Sequence, residues 1–351
     1  MSTGENSEKI EILENVDLSN YTSMKIGGTA KYFTIVETES DIKNAYEWAQ
    51  LNNLKIFPLG GGSNTIFSEK KHDYLFILIK NSGILKSYES DQIINIDVSA
   101  GENWDGLVAW TIKNNLKGLE CLSGIPGTVG AGPIQNIGAY GSEIRDTLTK
   151  VKILDIESGQ ISEISNNECD FDYRDSVFKK NLGKFIILLV SFSLQKAESP
   201  QTIPQYKDIQ LYFLDKKQKA ATISKIREAV LEIRGNKIPW PADIPNCGSF
   251  FKNPIVSNSV AGKIAREYPE IPYFKIDEET TKLYAGWMIE KVLPKGFEFD
   301  SIKIDKKNSL VLINPGGKAD FNQLEKAVKE IQDKIYKKFK IKLEIEPNII
   351  D

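Results

Sequence analysis

Residues 123–143 read SGIPGTVGAGPIQNIGAYGSE within a chain of 351 residues. Six glycines and two prolines fall in this stretch, with no charge before Glu143, so it favours neither helix nor strand. Closely spaced glycines let backbone N–H groups approach a ligand and form a concavity for phosphate oxygens. The alternative is an irregular connection that needs glycine for steric reasons alone. Long loops inside compact domains are usually functional, which favours ligand binding.

A second glycine-rich segment follows a predicted apolar strand, where Gly60, Gly61 and Gly62 precede Ser63 and Asn64. A strand that ends in GGGSN fits a tight turn or an anion-binding nest. Two such loops in one chain indicate an extended ligand that carries phosphate. The spacing does not match the GxGxxG fingerprint of dinucleotide-binding folds, and the chain contains no GK[ST] Walker sequence.

The overall composition is that of a globular protein. The net charge is −3 and 41% of the residues are hydrophobic, so no basic surplus indicates a nucleic-acid partner. Neither a secretory leader nor an apolar run of about 18 residues is recognisable, and we expect a cytoplasmic protein that does not interact with a membrane. The oligomeric state is left open, with a monomer as the working expectation.

The cysteines and the histidine limit the possible chemistry. Cys121, Cys169 and Cys247 lie far apart without CxxC spacing, and His72 is the only histidine. We therefore expect no metal site, no disulfide and a reducing compartment. Unless His72 takes part, catalysis depends on other side chains or on a cofactor.

Hydrophobic periodicity predicts an α+β chain. Strands are predicted at 32–36, 54–59, 74–80, 93–99, 184–194, 302–304, 309–313 and 343–345, with a hairpin at 148–164 that turns at 157–160. Helices are predicted at 40–53 with Ser40 as N-cap, 101–115, 223–233 ending at Gly235, 260–268, 283–292 and 320–339. Residues 1–9 are expected to be disordered, and 199–205 to cross between domains.

The stretch GIPGTVGAGPIQNIGAYG resembles the signature of the UDP-N-acetylenolpyruvoylglucosamine reductase family, flavoenzymes that make UDP-N-acetylmuramic acid for bacterial peptidoglycan. The resemblance extends over residues 20–346. It implies an FAD-binding domain of the vanillyl-alcohol-oxidase (PCMH) type in two subdomains, followed by a C-terminal α+β substrate-binding domain. The implied divisions are an FAD domain at 20–196 (subdomains about 20–82 and 83–196), a connection at 197–235 with a substrate-capping tyrosine loop, a substrate domain at 236–340 and a terminal strand at 341–351.

The resemblance assigns both glycine segments to FAD. The implied cofactor-binding residues are Gly60, Gly61, Gly62, Ser63, Asn64, Gly124, Ile125, Pro126, Gly127, Gly130, Gln135, Asn136, Gly138, Ala139, Tyr140 and Gly141.

Three catalytic residues are implied in the same way, although each has an ordinary alternative. Arg174 in CDFDYRDSVFKK fits a surface ion pair, but it matches the arginine of the family's YRxSxF motif, which contacts the substrate carboxylate. Ser249 fits a cap or turn residue, but GSFFKNP contains the family's proton donor. Glu346 fits a solvated strand face, but the family's terminal LxxE pattern carries an active-site glutamate. Here Pro347 follows it, where the family usually has valine and a basic residue.

The resemblance also implies substrate-binding residues. Tyr206 matches a tyrosine that caps the nucleotide end of the substrate in one subgroup, with Tyr212 as the competitor. Lys237 and Asn253 are implied by the motifs around them. Lys291 stands where glutamine is frequent in the family, so contacts there can differ.

Together these features predict reduction of UDP-N-acetylglucosamine enolpyruvate, with FAD as cofactor and NADPH as hydride donor. A flavin suits the reaction because no side chain delivers hydride to an alkene. Two alternatives stay open at this stage. One is a non-catalytic nucleotide-binding protein, and the other is an oxidase or another oxidoreductase on the same flavin fold.

Overall fold

The structure is a computed structural model that describes residues 10–198 and 200–351. The predicted disordered tail at 1–9 lies outside these residues, as does Ser199 at the start of the predicted crossing. Two compact units are formed. Within the described residues, unit 1 comprises 10–16, 30–61 and 71–234, and unit 2 comprises 17–29, 62–70 and 235–351. The domain boundaries given above remain a prediction.

Unit 1 is built around two sheets. The four-stranded sheet has the order Leu13–Asp17, Thr29–Val36, Lys71–Ile79, Lys55–Leu59, with the last two strands parallel. The antiparallel sheet has the order Ile161–Ser165, Leu148–Asp155, Phe185–Lys196, Ile93–Ser99, Ile84–Glu89, and Leu116–Lys117 also pairs with Phe185–Lys196. Phe185–Lys196 lies at the centre because it is a long apolar run, and most of its side chains are buried.

The helices of unit 1 pack beside these strands. Their bounds are Glu39–Leu51, Trp104–Lys113, Val177–Lys180, Lys207–Asp215 and Ile223–Lys237, the last of which continues into unit 2. Short 3₁₀ turns occur at Glu120–Leu122, Val129–Ala131, Pro133–Gln135, Ile144–Asp146 and Asn167–Cys169. Small two-stranded pairs join Gly138–Ala139 to Ser142–Glu143 and Gln201–Thr202 to Ala220–Ala221. The predicted long loop is therefore a chain of short turns and one tiny hairpin.

Unit 2 has a core of its own. A four-stranded sheet has the order Asn246–Ser249, Val311–Ile313, Ile302–Ile304, Glu298–Phe299, and a three-stranded sheet the order Ile255–Ser257, Thr280–Leu283, Tyr273–Lys275. Asn348–Ile350 pairs in parallel with Thr65–Phe67. The helices are Asn258–Glu267, Ala285–Glu290 and Phe321–Phe339, with 3₁₀ turns at Leu18–Tyr21 and Pro315–Gly317. No helix in the described parts of the chain is long and apolar enough to cross a membrane.

The α+β class is confirmed, and several elements differ from their prediction. The helix predicted at 223–233 passes through Gly235 and ends at Lys237, where Pro239 prevents its continuation. A helix at Lys207–Asp215 was not predicted. The strand predicted at 343–345 is wrong, since only an isolated bridge of Ile345 to Phe251 forms there.

The first helix also begins earlier than predicted. Its N-cap is Thr38 and not Ser40, because the Thr38 side chain accepts from the Asp41 N–H at 3.1 Å and Asp41 accepts from the Thr38 N–H at 2.9 Å. This reciprocal pair is a capping box.

We therefore expect Thr38→Ala to lower the free energy of unfolding by about 1 kcal/mol, because the Asp41 N–H loses its acceptor. Ser40→Ala is the control, with an expected change below about 0.5 kcal/mol. Urea unfolding of the two variants measures the difference. Equal losses would contradict the assignment of the cap.

Candidate active site

The two glycine segments touch each other inside unit 1. A Cβ on Gly61 would lie 2.9 Å from the Cα of Gly127, and one on Gly60 would lie 2.6 Å from Thr128 Oγ1. Such distances are too short for a real side chain. Glycine is therefore required here for close backbone approach. In unit 2, Gly62 has φ +61 and a Cβ there would lie 1.8 Å from the Tyr21 carbonyl oxygen.

The first half of the long segment is anchored to the helix Trp104–Lys113. The Gly124 N–H donates to Asp105 Oδ1 at 2.7 Å, and the Trp104 N–H donates to the Gly127 carbonyl at 3.1 Å. Asp105 also accepts from both terminal nitrogens of Arg227, at 2.6 and 2.8 Å. Burial raises the pKa of Asp105, but Arg227 and the Gly124 N–H together lower it below its usual value. The ionised carboxylate thus holds this part of the segment.

The second half of the segment contains a buried asparagine. Asn136 has φ 47 and no exposed surface. Its Nδ2 donates to Glu143 Oε2 at 2.8 Å and to the Asp172 carbonyl at 3.1 Å, and its Oδ1 accepts from the Arg145 N–H at 3.3 Å. The side chain therefore links the glycine segment to the turn that carries Arg174.

Arg174 stands on that tight turn. Asp172 and Asp175 exchange two backbone hydrogen bonds at 3.1 and 3.2 Å, and Arg174 between them has φ 56. Its Nη2 donates to the Gly138 carbonyl at 2.9 Å. Ser176 beside it donates to the Ile134 carbonyl at 2.7 Å. The half-buried guanidinium is thus held against the glycine segment.

Of the two candidate tyrosines, Tyr206 is the one that packs on the glycine segment. Its ring lies 5.4 Å from the ring of Tyr140 in an edge-to-face arrangement. Tyr212 instead donates to Glu232 Oε2 at 2.8 Å and accepts from Lys216. Burial, more than any neighbouring charge, raises the pKa of Tyr140 to about 12, so its hydroxyl is neutral and can donate a hydrogen bond.

Arg234 is a residue that the sequence analysis missed. Burial lowers its pKa, Tyr140 and Asp105 oppose this, and the positive charge of Arg174 adds to the lowering. No hydrogen bond or ion pair of its guanidinium is found within the described chain. Two arginines near each other create a positive potential that favours an anion. Only packing shows this, because the sequence around Arg234 has no motif that marks it.

In unit 2 the chain brings Ser249 and Glu346 close together. Ser249 ends the strand Asn246–Ser249, and the Glu346 N–H donates to the carbonyl of the next residue, Phe250, at 2.9 Å. Glu346 is only 8% exposed, so the alternative of a solvated strand face is wrong. Burial raises the pKa of Cys247 to about 12, and the nearby Glu346 carboxylate adds to this.

Ser249 does not cap a helix. It pairs with Val311 in the sheet, after Gly248 with φ +74. No hydrogen bond of its Oγ is found in the parts of the chain that the structure describes. The half-buried hydroxyl is therefore available to a ligand.

The three remaining substrate candidates also lie in unit 2. Asn253 Oδ1 accepts from the Ala285 N–H at 3.0 Å, at the start of the helix Ala285–Glu290. Lys237 is the exposed last residue of its helix. Lys291 pairs with Glu270 at 2.9 Å and lies over the Trp287 ring, so part of its charge is already engaged.

The other predicted cofactor residues fall in the same segments. Ile125 and Pro126 are half-buried beside Gly127, and the Gly130 N–H donates to the Ala100 carbonyl. Gln135 ends a 3₁₀ turn, Ala139 and Tyr140 lie at the hairpin, and Gly141 has φ +86. Ser63 and Asn64 follow Gly62 in unit 2. Those of unit 1 fit an elongated anionic cofactor, because backbone approach and positive potential coincide there.

Comparison with known families defines the class of protein. Residues 30–165 match the FAD-binding domain family, and residues 240–350 match the C-terminal domain of UDP-N-acetylenolpyruvoylglucosamine reductase. The chain is therefore a flavoprotein and an oxidoreductase. The predicted fold class, an FAD-binding domain followed by a C-terminal α+β domain, is confirmed.

Relatives cover almost the whole chain. The reductases of Flavobacterium johnsoniae and Amoebophilus asiaticus are 37% and 38% identical over 97% of this chain and 100% of theirs. The chain belongs to the UDP-N-acetylenolpyruvoylglucosamine reductase family. The crystal structure of UDP-N-acetylenolpyruvylglucosamine reductase from Thermus caldophilus shares the fold, with a TM-score of 0.67, 21% identity and coverage of 97% of this chain and 99% of that one. The 37% and 38% identical reductases support an enzyme of this type and not a non-catalytic nucleotide-binding protein.

Flavin content tests the contact between the glycine segments. In Gly61→Ala the new Cβ would lie only 2.9 Å from the Cα of Gly127. The two glycine segments must therefore move apart, and we expect folded protein that contains little FAD. Gly262→Ala is the control, because no atom lies within 4 Å of a Cβ at that position. Absorbance of the released flavin per chain measures both variants. Full flavin content in Gly61→Ala would contradict this account.

Proposed function

We propose that the protein catalyses the NADPH-dependent reduction of UDP-N-acetylglucosamine enolpyruvate to UDP-N-acetylmuramate in cytoplasmic peptidoglycan precursor synthesis. The observation that carries the proposal is the position of Arg174. Its Nη2 donates to the Gly138 carbonyl of the glycine segment at 2.9 Å. Membership in the reductase family supports the choice of substrate. The cytoplasm fits a reaction that uses NADPH and a nucleotide sugar.

FAD, when bound, would supply the hydride chemistry between NADPH and the vinyl group of the substrate. Hydride addition to the substrate would place negative charge on the carbon next to its carboxylate and, through the enolate, on the carboxylate. Arg174 would stabilise it with its planar fork of donors, which matches a carboxylate. Arg234 adds positive potential on the same side of unit 1.

The reaction also requires a proton for the substrate. Ser249 is assigned as the donor to the remaining carbon, which agrees with an Oγ that no described residue engages. Glu346 is assigned to the same step as Ser249. Its backbone bond to Phe250 fixes it beside Ser249, and preorganised donors of this kind need no rearrangement during the reaction.

Tyr206, Lys237 and Asn253 are assigned to substrate binding. The ring of Tyr206 would cover the nucleotide end, since it packs on Tyr140 next to the glycine segment. Lys237 would pair with phosphate. Lys291 already donates to Glu270 at 2.9 Å, which leaves two of its three N–H donors for substrate.

The role of Ser249 separates the two half-reactions. In Ser249→Ala we expect reduction of FAD by NADPH to stay normal, because no proton donor is needed there. Reoxidation by the enolpyruvyl substrate should slow by about a hundredfold to ten-thousandfold, the usual effect of a general acid. Anaerobic stopped-flow absorbance measures both rates.

Ser257→Ala is the matched control, since Ser257 caps the helix Asn258–Glu267 by accepting from the Val260 N–H at 3.4 Å. It should lose about 1 kcal/mol of stability and keep both rates. Equal slowing of both half-reactions in Ser249→Ala, or of neither, would rule out Ser249 as the proton donor. Steady oxygen consumption without the enolpyruvyl substrate would favour an oxidase.

Arg174→Lys tests the carboxylate contact. Lysine keeps the charge but loses the planar fork, so reoxidation by substrate should slow by about tenfold or more while flavin content stays normal. The same stopped-flow experiment gives the rate. Loss of flavin with an unchanged rate per bound flavin would show that Arg174 has only a structural role.

A further inference from the structure

Both polar groups of the Asn136 side chain are hydrogen-bonded to other residues of the protein. An amide offers two N–H donors and one carbonyl acceptor. In Asn136 the donors go to Glu143 Oε2 at 2.8 Å and the Asp172 carbonyl at 3.1 Å, and the acceptor receives the Arg145 N–H at 3.3 Å. It is also completely buried. Little remains of this side chain to bind a cofactor directly.

The contact with Asp172 acts on a strained turn. Arg174 has φ 56, a left-handed conformation that costs free energy in an ordinary residue and persists only where neighbours enforce it. Inside the turn, the enforcing contacts are the two backbone bonds between Asp172 and Asp175. Outside the turn, the Asn136 amide donates a hydrogen bond to the carbonyl of Asp172, the first residue of the turn. Loss of this hydrogen bond would let the Arg174 side chain move away from Gly138.

Two charged neighbours fix the orientation of the Asn136 amide. Glu143 Oε2 accepts from Asn136 and also pairs with Arg145 Nε at 2.7 Å. A flipped amide would place its oxygen against the Glu143 carboxylate and the Asp172 carbonyl, with three acceptors together. The observed orientation, with the NH₂ group toward Asp172, is therefore the stable one.

Arg145 reinforces the same end of the turn. Its Nη1 donates to the Phe171 carbonyl at 3.3 Å, one residue before Asp172. Asn136, Glu143 and Arg145 thus form one polar network that ends on two consecutive carbonyls ahead of Arg174. Networks of this kind are stiff because each bond orients the next.

We propose that Asn136 is a positioning residue for the reaction. It holds the turn of residues 172–175 so that the Arg174 guanidinium stays at Gly138, and its side chain touches neither FAD nor substrate. The proposal rests on the role of Arg174 in the proposed function. Asn136 is among the predicted cofactor-binding residues, and under this proposal only its main chain takes that part.

Asn136→Gly is the first variant, because glycine keeps the left-handed backbone and removes only the amide. Reoxidation of the reduced enzyme by the enolpyruvyl substrate should slow by about tenfold to a hundredfold, the effect of a small misplacement at a reacting centre. Reduction by NADPH and flavin content should stay within about twofold of the parent protein, since neither depends on Arg174. Parallel loss of both half-reactions would overturn the proposal.

Asn166→Ala is the matched control. The Asn166 amide also donates to two backbone carbonyls, those of Arg145 and Leu148, at 2.8 and 2.7 Å. Among the described residues, no hydrogen bond of this amide to the turn at 172–175 is found. Both half-reactions should therefore be unchanged, and slowing of reoxidation equal to that of Asn136→Gly would show only general loosening of unit 1.

A double-mutant cycle separates this proposal from the proposed function. If Asn136 acts through Arg174, adding Asn136→Gly to Arg174→Lys should slow reoxidation by less than about twofold further. Effects that multiply would overturn the positioning role. If Arg174→Lys alone leaves reoxidation unchanged, the proposed role of Arg174 fails. If only Asn136→Gly has no effect, the positioning role fails and the proposed function stands.

Amide hydrogen exchange provides a readout that does not involve activity. In flavin-loaded Asn136→Gly, peptides covering residues 171–176 should exchange about tenfold faster, whereas those in Phe185–Lys196 should not change. Asn166→Ala should leave 171–176 protected. If the amides of residues 171–176 exchange as slowly in Asn136→Gly as in the parent protein, Asn136 does not hold the turn.

A second variant covers the case in which Asn136→Gly does not retain flavin. Asn136→Asp tolerates the left-handed backbone and keeps an acceptor for the Arg145 N–H, but it cannot donate to Asp172. With Glu143→Gln in the same chain, repulsion between two carboxylates is removed. This double variant should bind FAD and still show slow reoxidation. Loss of flavin in both Asn136→Gly and this double variant would show that Asn136 serves the cofactor site, and would overturn the proposal.

Discussion

The stretch at residues 123–143 has to place an irregular main chain inside the protein, and every polar group that it buries needs a partner. The partners come from fixed elements of unit 1. The Asp105 carboxylate takes the Gly124 N–H, the Ala100 carbonyl takes the Gly130 N–H, and Ser176 donates to the Ile134 carbonyl. The shape of the glycine segment is therefore set by its surroundings.

The same requirement explains where the charged groups stand. Asp105 is ionised because Arg227 and the Gly124 N–H outweigh the effect of its burial on the pKa. Arg174 donates to the carbonyl of Gly138, which is neutral. This contact therefore compensates less of the positive charge of Arg174 than a carboxylate in the same place would. With Arg234 close by, unit 1 carries positive potential beside its glycine segment. A cofactor and a substrate that both carry phosphate match this potential.

Regular elements could be predicted where the local pattern is strong. Phe185–Lys196 follows from its unbroken apolar run, and Ile93–Ser99 was predicted with its observed ends. The helix Lys207–Asp215 was overlooked although Ile209 and Phe213, which are both buried, stand four residues apart. Here the helical pattern was present, but the resemblance implied a loop that carries the substrate-capping tyrosine.

Other features depend on contacts that no local pattern contains. Gly235 does not end its helix, because the break comes only with Pro239. Glu346 looked solvated from alternation, yet it is buried where its N–H meets the Phe250 carbonyl. Burial lowers the pKa of Arg234, and the sequence around this residue does not predict that burial. The motifs gave the candidate residues, whereas the polar network around Asn136 required the structure.

The central claim, that FAD in this chain reduces an enolpyruvyl nucleotide sugar, is tested most directly by a single turnover without oxygen. The flavoprotein is reduced with one equivalent of NADPH and mixed with UDP-N-acetylglucosamine enolpyruvate, while the flavin band at about 450 nm is followed and the product is identified by mass spectrometry. We predict return of the band together with one equivalent of UDP-N-acetylmuramate per flavin. A reduced flavin that persists with this substrate and reoxidises only when oxygen is admitted would contradict the account.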